Sequence, residues 1–254
     1  MTATVVRTDY VTVPSRNVKG SILDIAEVHE GLPWDGTGLV ESFNCIGVDV
    51  DAVPCAGFKG LTKRFDPPSW SDGHQFNLQC GVTCKPFGFN GDDPALTAAF
   101  NAMEPEGVSI GVHDTVLVNA TDVTPASGPV TPLQGLGLLE SAGYGAYAGL
   151  PVIWAGPMQV SQFTGLQVLT DVGGHLETRL GTPVAVSAGV ETKTAGKLDA
   201  NQWMFVTGHV VLWRSEVQQA NAIDQTTNQV TALYERVYSV AVDCFSAKVS
   251  VKVL

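Results

Sequence analysis

The chain is short of charge, short of cysteine chemistry and empty of catalytic signatures. Only 15% of its 254 residues are charged, against 44% hydrophobic, which excludes global disorder and leaves ample material for a core. So few charges on a chain of this size imply that other chains cover much of its surface. No run approaches the roughly 20 apolar residues that cross a bilayer. The opening MTATVVRTDYVTVPSRNVKG lacks the basic-then-apolar order of a secretory signal, so the chain is expected to be made and kept in the cytoplasm. The cysteines are Cys45, Cys55, Cys80, Cys84 and Cys244. An odd number without a secretion signal argues against a disulfide framework and for buried free thiols.

Metal and catalytic readings fare no better. Cys80 and Cys84 with Cys45, Cys55 or His74 have the right atoms for tetrahedral zinc, but their spacing is no knuckle and Val82 between them fits a buried strand. His29, His74, His113, His175 and His209 are dispersed, with no HExxH or HxE spacing. GLGLLES holds no GxSxG elbow. GYGAYAG lacks GxGxxG spacing and falls in or at the end of a helix, the wrong context for a phosphate loop. Asp171, His175 and Glu177 flank a Gly-Gly turn and read as turn polarity. Arg214 beside Glu216, and Glu235 beside Arg236, read as solvated or interface charges. No catalytic, cofactor-binding or metal residue is assigned.

What is present is extended structure and three helices. Residues 1–40 offer scattered strand signals and little core. HQFNLQCGV alternates Phe76, Leu78 and Cys80 on one face, as a hairpin limb does. Asp92 or Asp93 with Pro94 opens a helix striped by Leu96, Ala99, Phe100 and Met103, which Pro105 and Gly107 end. Thr131 and Pro132 open a second helix carrying Leu133, Leu136, Leu139, Gly143 and Tyr147; its glycines demand close packing to hold it. PVIWAG is a short buried strand, and Pro157 starts a third helix with Val160, Phe163 and Leu166 inward. GTPVAVSAGV and Trp203 to Trp213 are strands. In the last stretch Tyr238, Val240, Val242 and Cys244 share one parity while Phe245, Ala247, Val249, Val251 and Val253 share the other. Side chains alternate along a strand, so this predicts one long strand with a bulge near Cys244 and Phe245, tied into a sheet.

Net charge is -11, from 14 basic and 25 acidic residues, which disfavours sequence-specific binding to nucleic-acid phosphates. The one basic cluster, Lys59, Lys63 and Arg64, lies among Phe58, Phe65 and Trp70 in a turn-rich segment. A cation cluster with apolar anchors suits contact with an acidic neighbour, so these six are the candidate inter-subunit residues; the alternative is a solvated loop over this subunit's own core.

In order along the chain, FKGLTKRFDPPSWSDG from Phe58, the CGVTC strand, DPALTAAFNAMEPEGVSIGV, GLGLLESAGYGAYAGLPVIWAGP, GGHLETRLGTPVAVSAGV, WMFVTGHVVLWRSEV and ALYERVYSVAVDC resemble the capsid proteins of tailed bacteriophages of actinobacteria, of the Hong Kong 97-like fold. The resemblance implies an α+β chain with an N-terminal arm (1–40) and an extended hairpin loop reaching over a neighbour (41–88). It further implies a peripheral domain (89–130 and 200–254) and an axial domain (131–199). The helix from Pro94 is short for the long spine helix of such folds. The implied function is a phage-head shell subunit forming pentamers or hexamers of an icosahedral capsid; the alternative is another virion protein, such as a tail-tube, connector or decoration subunit. No cofactor is implied. The implied partners are copies of itself or a paralogous capsid protein, with portal, scaffold or decoration proteins as further candidates. DNA would be enclosed without sequence-specific binding, and no membrane is involved.

Overall fold

The structure, a computed structural model, describes residues 20–32, 39–42, 69–84, 94–224, 226 and 229–253, with backbone alone at 39–42, 69–72, 84 and 95. Every structural statement below concerns those residues.

The chain enters through a single helical turn, α1 (Ile22–Ile25). At its start Asp24 Oδ2 reaches back to accept from Ser21 N and Oγ at 3.1 and 2.9 Å, and Ile22 is fully buried. Strand β1 (Glu27–Glu30) follows. β2 (Leu39–Ser42) and β3 (Ser69–Asp72) pair antiparallel, with Glu41 opposite Trp70. In β4 (His74–Cys84) Phe76, Leu78 and Cys80 turn inward while Gln75, Asn77 and Gln79 are exposed, the alternation expected from sequence. Its partner, however, is a distant strand near the C-terminus and not a hairpin limb.

The first long helix corrects the sequence reading. α2 spans Pro94–Thr115, 22 residues, and runs straight past Pro105. Proline forfeits one intrahelical bond, but the helix is pressed onto β4: a Cβ at Gly111 would stand 2.3 Å from the Phe76 ring. Only glycine permits that approach, and the tertiary contact outweighs the local break. The long helix whose absence set this sequence apart from the Hong Kong 97-like pattern is therefore present.

β5 (Thr121–Asp122) leads to α3 (Pro132–Ala146), where Thr131 and Gln134 form a capping box. Leu136, Leu139, Gly143 and Tyr147 are buried as expected; Leu133 is not. β6 (Val152–Ala155) is buried throughout. α4 (Pro157–Gly165) buries Phe163, but Leu166, expected inward, lies past its end and is exposed. β7 (Leu169–Val172) and β8 (His175–Thr178) form a hairpin around Gly173 and Gly174, both at positive φ. β9 (Pro183–Val186), the small hairpin β10 (Lys193–Thr194) and β11 (Lys197–Leu198), then β12 (Asn201–Thr207), β13 (Val210–Arg214), β14 (Gln218–Asp224), β15 (Gln229–Val242) and β16 (Ser246–Lys252) complete the chain.

Two sheets organise these strands. A five-stranded sheet runs β1-β13-β15-β14, with β4 along the other edge of β15. A seven-stranded sheet runs β5-β16-β12-β6-β9-β8-β7. Each face of the seven-stranded sheet is covered, so β6 is apolar at every position. Trp154 and Phe205 point into a core shared with α2 and the five-stranded sheet, through Val108, Val112, Leu212, Tyr238 and Val240. Ile153, Met204 and Val206 point into a second core with α3 and α4, joined by Val249 and Val251.

The parity switch near Cys244 marks the passage between those cores. Tyr238, Val240 and Val242 fill the first, and Ala247, Val249, Val251 and Val253 fill the second. The expected single strand is two strands in two sheets, but the expected bulge is real. Thr207 stands opposite Ser246 and Val210 opposite Val242, so three residues of one strand face two of the other. Cys244 takes the extra place at φ 56. The Trp203 to Trp213 segment, expected as one strand, breaks at the same corner. There Gly208 N donates to Phe245 O at 3.1 Å and Asp243 N to His209 O at 2.8 Å. A Cβ on Gly208 would collide with the Asp243 carbonyl, so the corner requires glycine. Residues 201–214 and 238–252 thus form one bent ribbon serving both sheets.

Candidate assembly surfaces

Of the six residues that sequence nominated for contact with another subunit, Phe58, Lys59, Lys63, Arg64 and Phe65 lie outside the described residues. Trp70 lies on β3, where only the backbone is described, opposite Glu41. The antiparallel pairing of β2 with β3 closes the base of an excursion of 26 residues.

Where β1, β13, β15 and α2 meet sits a charge cluster that sequence reasoning missed. Arg214 on β13 donates to Glu30 on β1 from Nε at 2.8 Å and Nη2 at 2.5 Å. Its Nη1 stands 3.7 Å from Glu104 on α2. Glu104, 10% exposed, accepts from Arg236 Nη1 at 2.5 Å and from the Tyr238 hydroxyl. Burial, the Glu104 hydrogen bond and its charge together push the Tyr238 phenol well above its ordinary range. The Arg214 hydrogen bond holds Glu30 below the ordinary value of 4.5, against the opposing effect of partial burial. Arg214 and Arg236, expected as solvated or interface charges, are partly buried within the subunit and pair with Glu30 and Glu104. Their partners lie 184 and 132 residues away in sequence. The signal that points to them is parity: Arg236 shares the inward phase of Tyr238 and Val240, and Arg214 that of Val210 and Leu212.

Two apolar surfaces stand open on the described chain. Between α2 and β4 a groove is lined by Leu78, Cys80, Phe100, Met103 and Ile110, with Glu106 at its margin. Met103, expected inward, is 55% exposed. On the other side of the molecule Leu133, Gly137, Val168 and Leu180 line a depression against α3, with Leu180 65% exposed. The 178–182 loop is held there by Glu140, which accepts from Thr178 Oγ1 at 2.5 Å and Thr182 Oγ1 at 3.3 Å.

Among the described residues no group of three or more histidine, cysteine, aspartate or glutamate side chains is placed to hold a metal ion. No described helix is long and apolar enough to cross a membrane. His175 and Glu177 meet at 2.8 Å beside the Gly173–Gly174 turn. Cys80 is a free, half-buried thiol. Cys244 is disulfide-bonded, which corrects the expectation of free thiols at that position; Cys45 and Cys55 lie outside the described residues, as does the side chain of Cys84.

No protein-family model matches the chain, and no curated protein matches it in sequence. Solved structures do match it in shape along nearly its whole length. The holo-SrpI encapsulin complex from Synechococcus elongatus superposes with a TM-score of 0.58 at 14% identity, covering 98% of this chain and 94% of that one. The capsid of the native GTA particle gives 0.55 at 10%, covering 99% and 95%. Gordonia phage Cozz gives 0.53 at 13%, covering 99% and 91%. Shared architecture at such low identity is a statement about fold, and the long α2 agrees with it: the chain has the Hong Kong 97-like capsid fold.

Proposed function

We propose that this chain is a structural subunit of a closed protein shell, a phage head whose pentamers or hexamers build an icosahedral capsid around DNA. The observation that carries the reading is whole-chain likeness to shell proteins: the three structures compared above each cover at least 98% of this chain. Closed shells grow from heterologous contacts, in which one patch meets a different patch of the next copy. The two separated apolar surfaces and the low charge content supply such patches. The net charge of -11 suits a container that holds DNA without adhering to it. Portal, scaffold and decoration proteins are the partners that such a head would engage.

The excursion between Ser42 and Ser69 has its place in this reading. At ~3.3 Å per residue, two fully extended legs of those 26 residues would span ~40 Å, enough length to meet a neighbouring subunit. Phe58, Phe65 and Trp70 would anchor it on a neighbour, and Lys59, Lys63 and Arg64 would meet carboxylates there. The apolar α2–β4 groove with Glu106 at its margin has the matching chemistry. Trp70→Ala is expected to leave the subunit's melting curve unchanged and to impair assembly in size-exclusion chromatography with light scattering. A variant that melts early yet still assembles would place the segment on its own subunit.

A second reading, a protein-filled nanocompartment, draws on the encapsulin likeness. Negative-stain microscopy of the overexpressed chain, with nuclease-protected DNA assayed in particles from the native source, separates the cases. Closed shells protecting DNA support the phage head, and closed shells filled with protein support the nanocompartment. Stacked rings or a monomer at all concentrations would overturn both.

A further inference from the structure

β1 is held to its sheet by an unusual set of contacts. It is four residues long, pairs with β13 alone, and lies parallel to it. Only Val28 leans on the core; the other three side chains make polar or ring contacts. Glu30 takes the two hydrogen bonds from Arg214. His29 stacks on Trp213, with ring centroids 5.8 Å apart. Glu27 sits between His29 Nε2 at 3.0 Å and His209 Nε2 at 3.3 Å. An edge strand secured in this way depends on charge in a manner that the apolar strands of the molecule do not.

The decisive feature is the second carboxylate near Arg214. An arginine that loses its only partner in a partly buried place is costly. Arg214, at 24% side-chain exposure, does not face that cost, because Glu104 waits 3.7 Å from its Nη1. We propose that β1 is a charge-exchange latch. When the Glu30 carboxylate takes a proton from solvent, the Arg214 guanidinium passes to Glu104 and β1 lifts from β13, while β13 and β15 stay paired. The strand follows α1 in sequence, so the latch governs how firmly the entering segment is tethered to the five-stranded sheet.

The charged groups around Glu30 set the direction. Arg214 from β13 and Arg236 from β15 favour its ionised form. Glu104 from α2 competes for the same guanidinium, and Tyr238 donates to Glu104. On β1 itself and at the β12–β13 corner, His29 and His209 face Glu27 rather than Glu30, a separate set of contacts on the opposite parity of the strand. Because the folded-state pKa of Glu30 is depressed, its contribution is present above the unfolded value of 4.5 and is lost as pH falls through the lower folded value. The latch therefore opens in acid.

Hydrogen exchange with mass spectrometry on the full chain tests this, after correction for intrinsic rates. In the wild type, amides 27–30 should lose protection severalfold and reversibly below about pH 4.5, while amides 238–242 keep theirs. Glu30→Gln, a change at an exposed side chain, should show the same loss at pH 7. Glu104→Asp keeps a carboxylate for Arg236 but draws it away from Arg214, so acid opening should be weaker. Wild-type protection in Glu30→Gln at pH 7 overturns the latch, as does joint loss at 27–30 and 238–242 on acidification. Unchanged acid opening in Glu104→Asp overturns the exchange.

Discussion

The two sheets of this molecule are stabilised by different physics. The seven-stranded sheet is sandwiched between two apolar cores, and its central strand β6 has no exposed residue. The five-stranded sheet shares one of those cores but carries two arginines and a glutamate at its junction with α2, together with an edge strand fixed by Glu30, His29 and Glu27. Apolar burial is insensitive to pH and direction; hydrogen-bonded charge is sensitive to both. One sheet is suited to hold shape and the other to respond.

The comparison is broken most severely at its shared wall. Trp154 is fully buried and donates from Nε1 to Thr207 Oγ1 at 3.0 Å. Trp154→Ala should cost ~3–5 kcal/mol, read as a shift in the midpoint of denaturant unfolding. Glu104→Ala should cost nearly as much, about 3 kcal/mol, because it strands Arg236 and the Tyr238 hydroxyl in a buried place. Unlike the tryptophan change, it should lose its effect when Arg236 and Tyr238 are replaced together by apolar residues. Glu104→Ala measured with and without the paired Arg236 and Tyr238 replacement, in the same unfolding assay, checks that difference.

Glycines on α3 sharpen the contrast at lower cost. A Cβ on Gly135 would come 2.5 Å from Val251 Cγ1, whereas one on Gly137 meets open space. Gly135→Ala should destabilise the subunit by about 1–3 kcal/mol through overpacking, and Gly137→Ala should stabilise it by up to about 1 kcal/mol through helix propensity. Opposite signs from two alanines two residues apart are checked by thermal melting of the unassembled chain. The smallest effect on the subunit belongs to the α2–β4 groove. Met103→Glu should change stability by less than ~0.5 kcal/mol while reducing assembly, read by light scattering across a concentration series.

The sequence disclosed best what depends on near neighbours. The α3 and α4 starts at Thr131–Pro132 and Pro157 follow from capping chemistry, and the Gly173–Gly174 turn from glycine's freedom at positive φ. The inversion of parity after Val242 marks the bulge at Cys244 without reference to any strand partner. Long-range events stayed hidden. Pro105 marks a helix end by local rule, and only the seat of Gly111 on Phe76 explains why α2 continues. Arg214 and Arg236 have acidic neighbours in sequence, so nothing local directs attention to Glu30 and Glu104. Leu133, Met103 and Leu166 fit inward stripes by periodicity, yet the helix rotation and helix ends that tertiary packing selects leave them outside. The six nominated contact residues rest on composition and resemblance alone.

The bent ribbon of residues 201–214 and 238–252 has a mechanical meaning. Both of its strands pass covalently from one sheet to the other, in opposite directions, and are bonded to each other on either side of the corner. A pull that separates the sheets along this ribbon is resisted by two unbroken backbones, so rupture cannot proceed by unzipping one hydrogen bond at a time. The weak mode is hinging at the corner, where Tyr147 Oη donates to Asp243 Oδ2 at 2.8 Å and accepts from His209 N at 3.1 Å. Such a member carries tension between its two halves while leaving them one axis about which to flex.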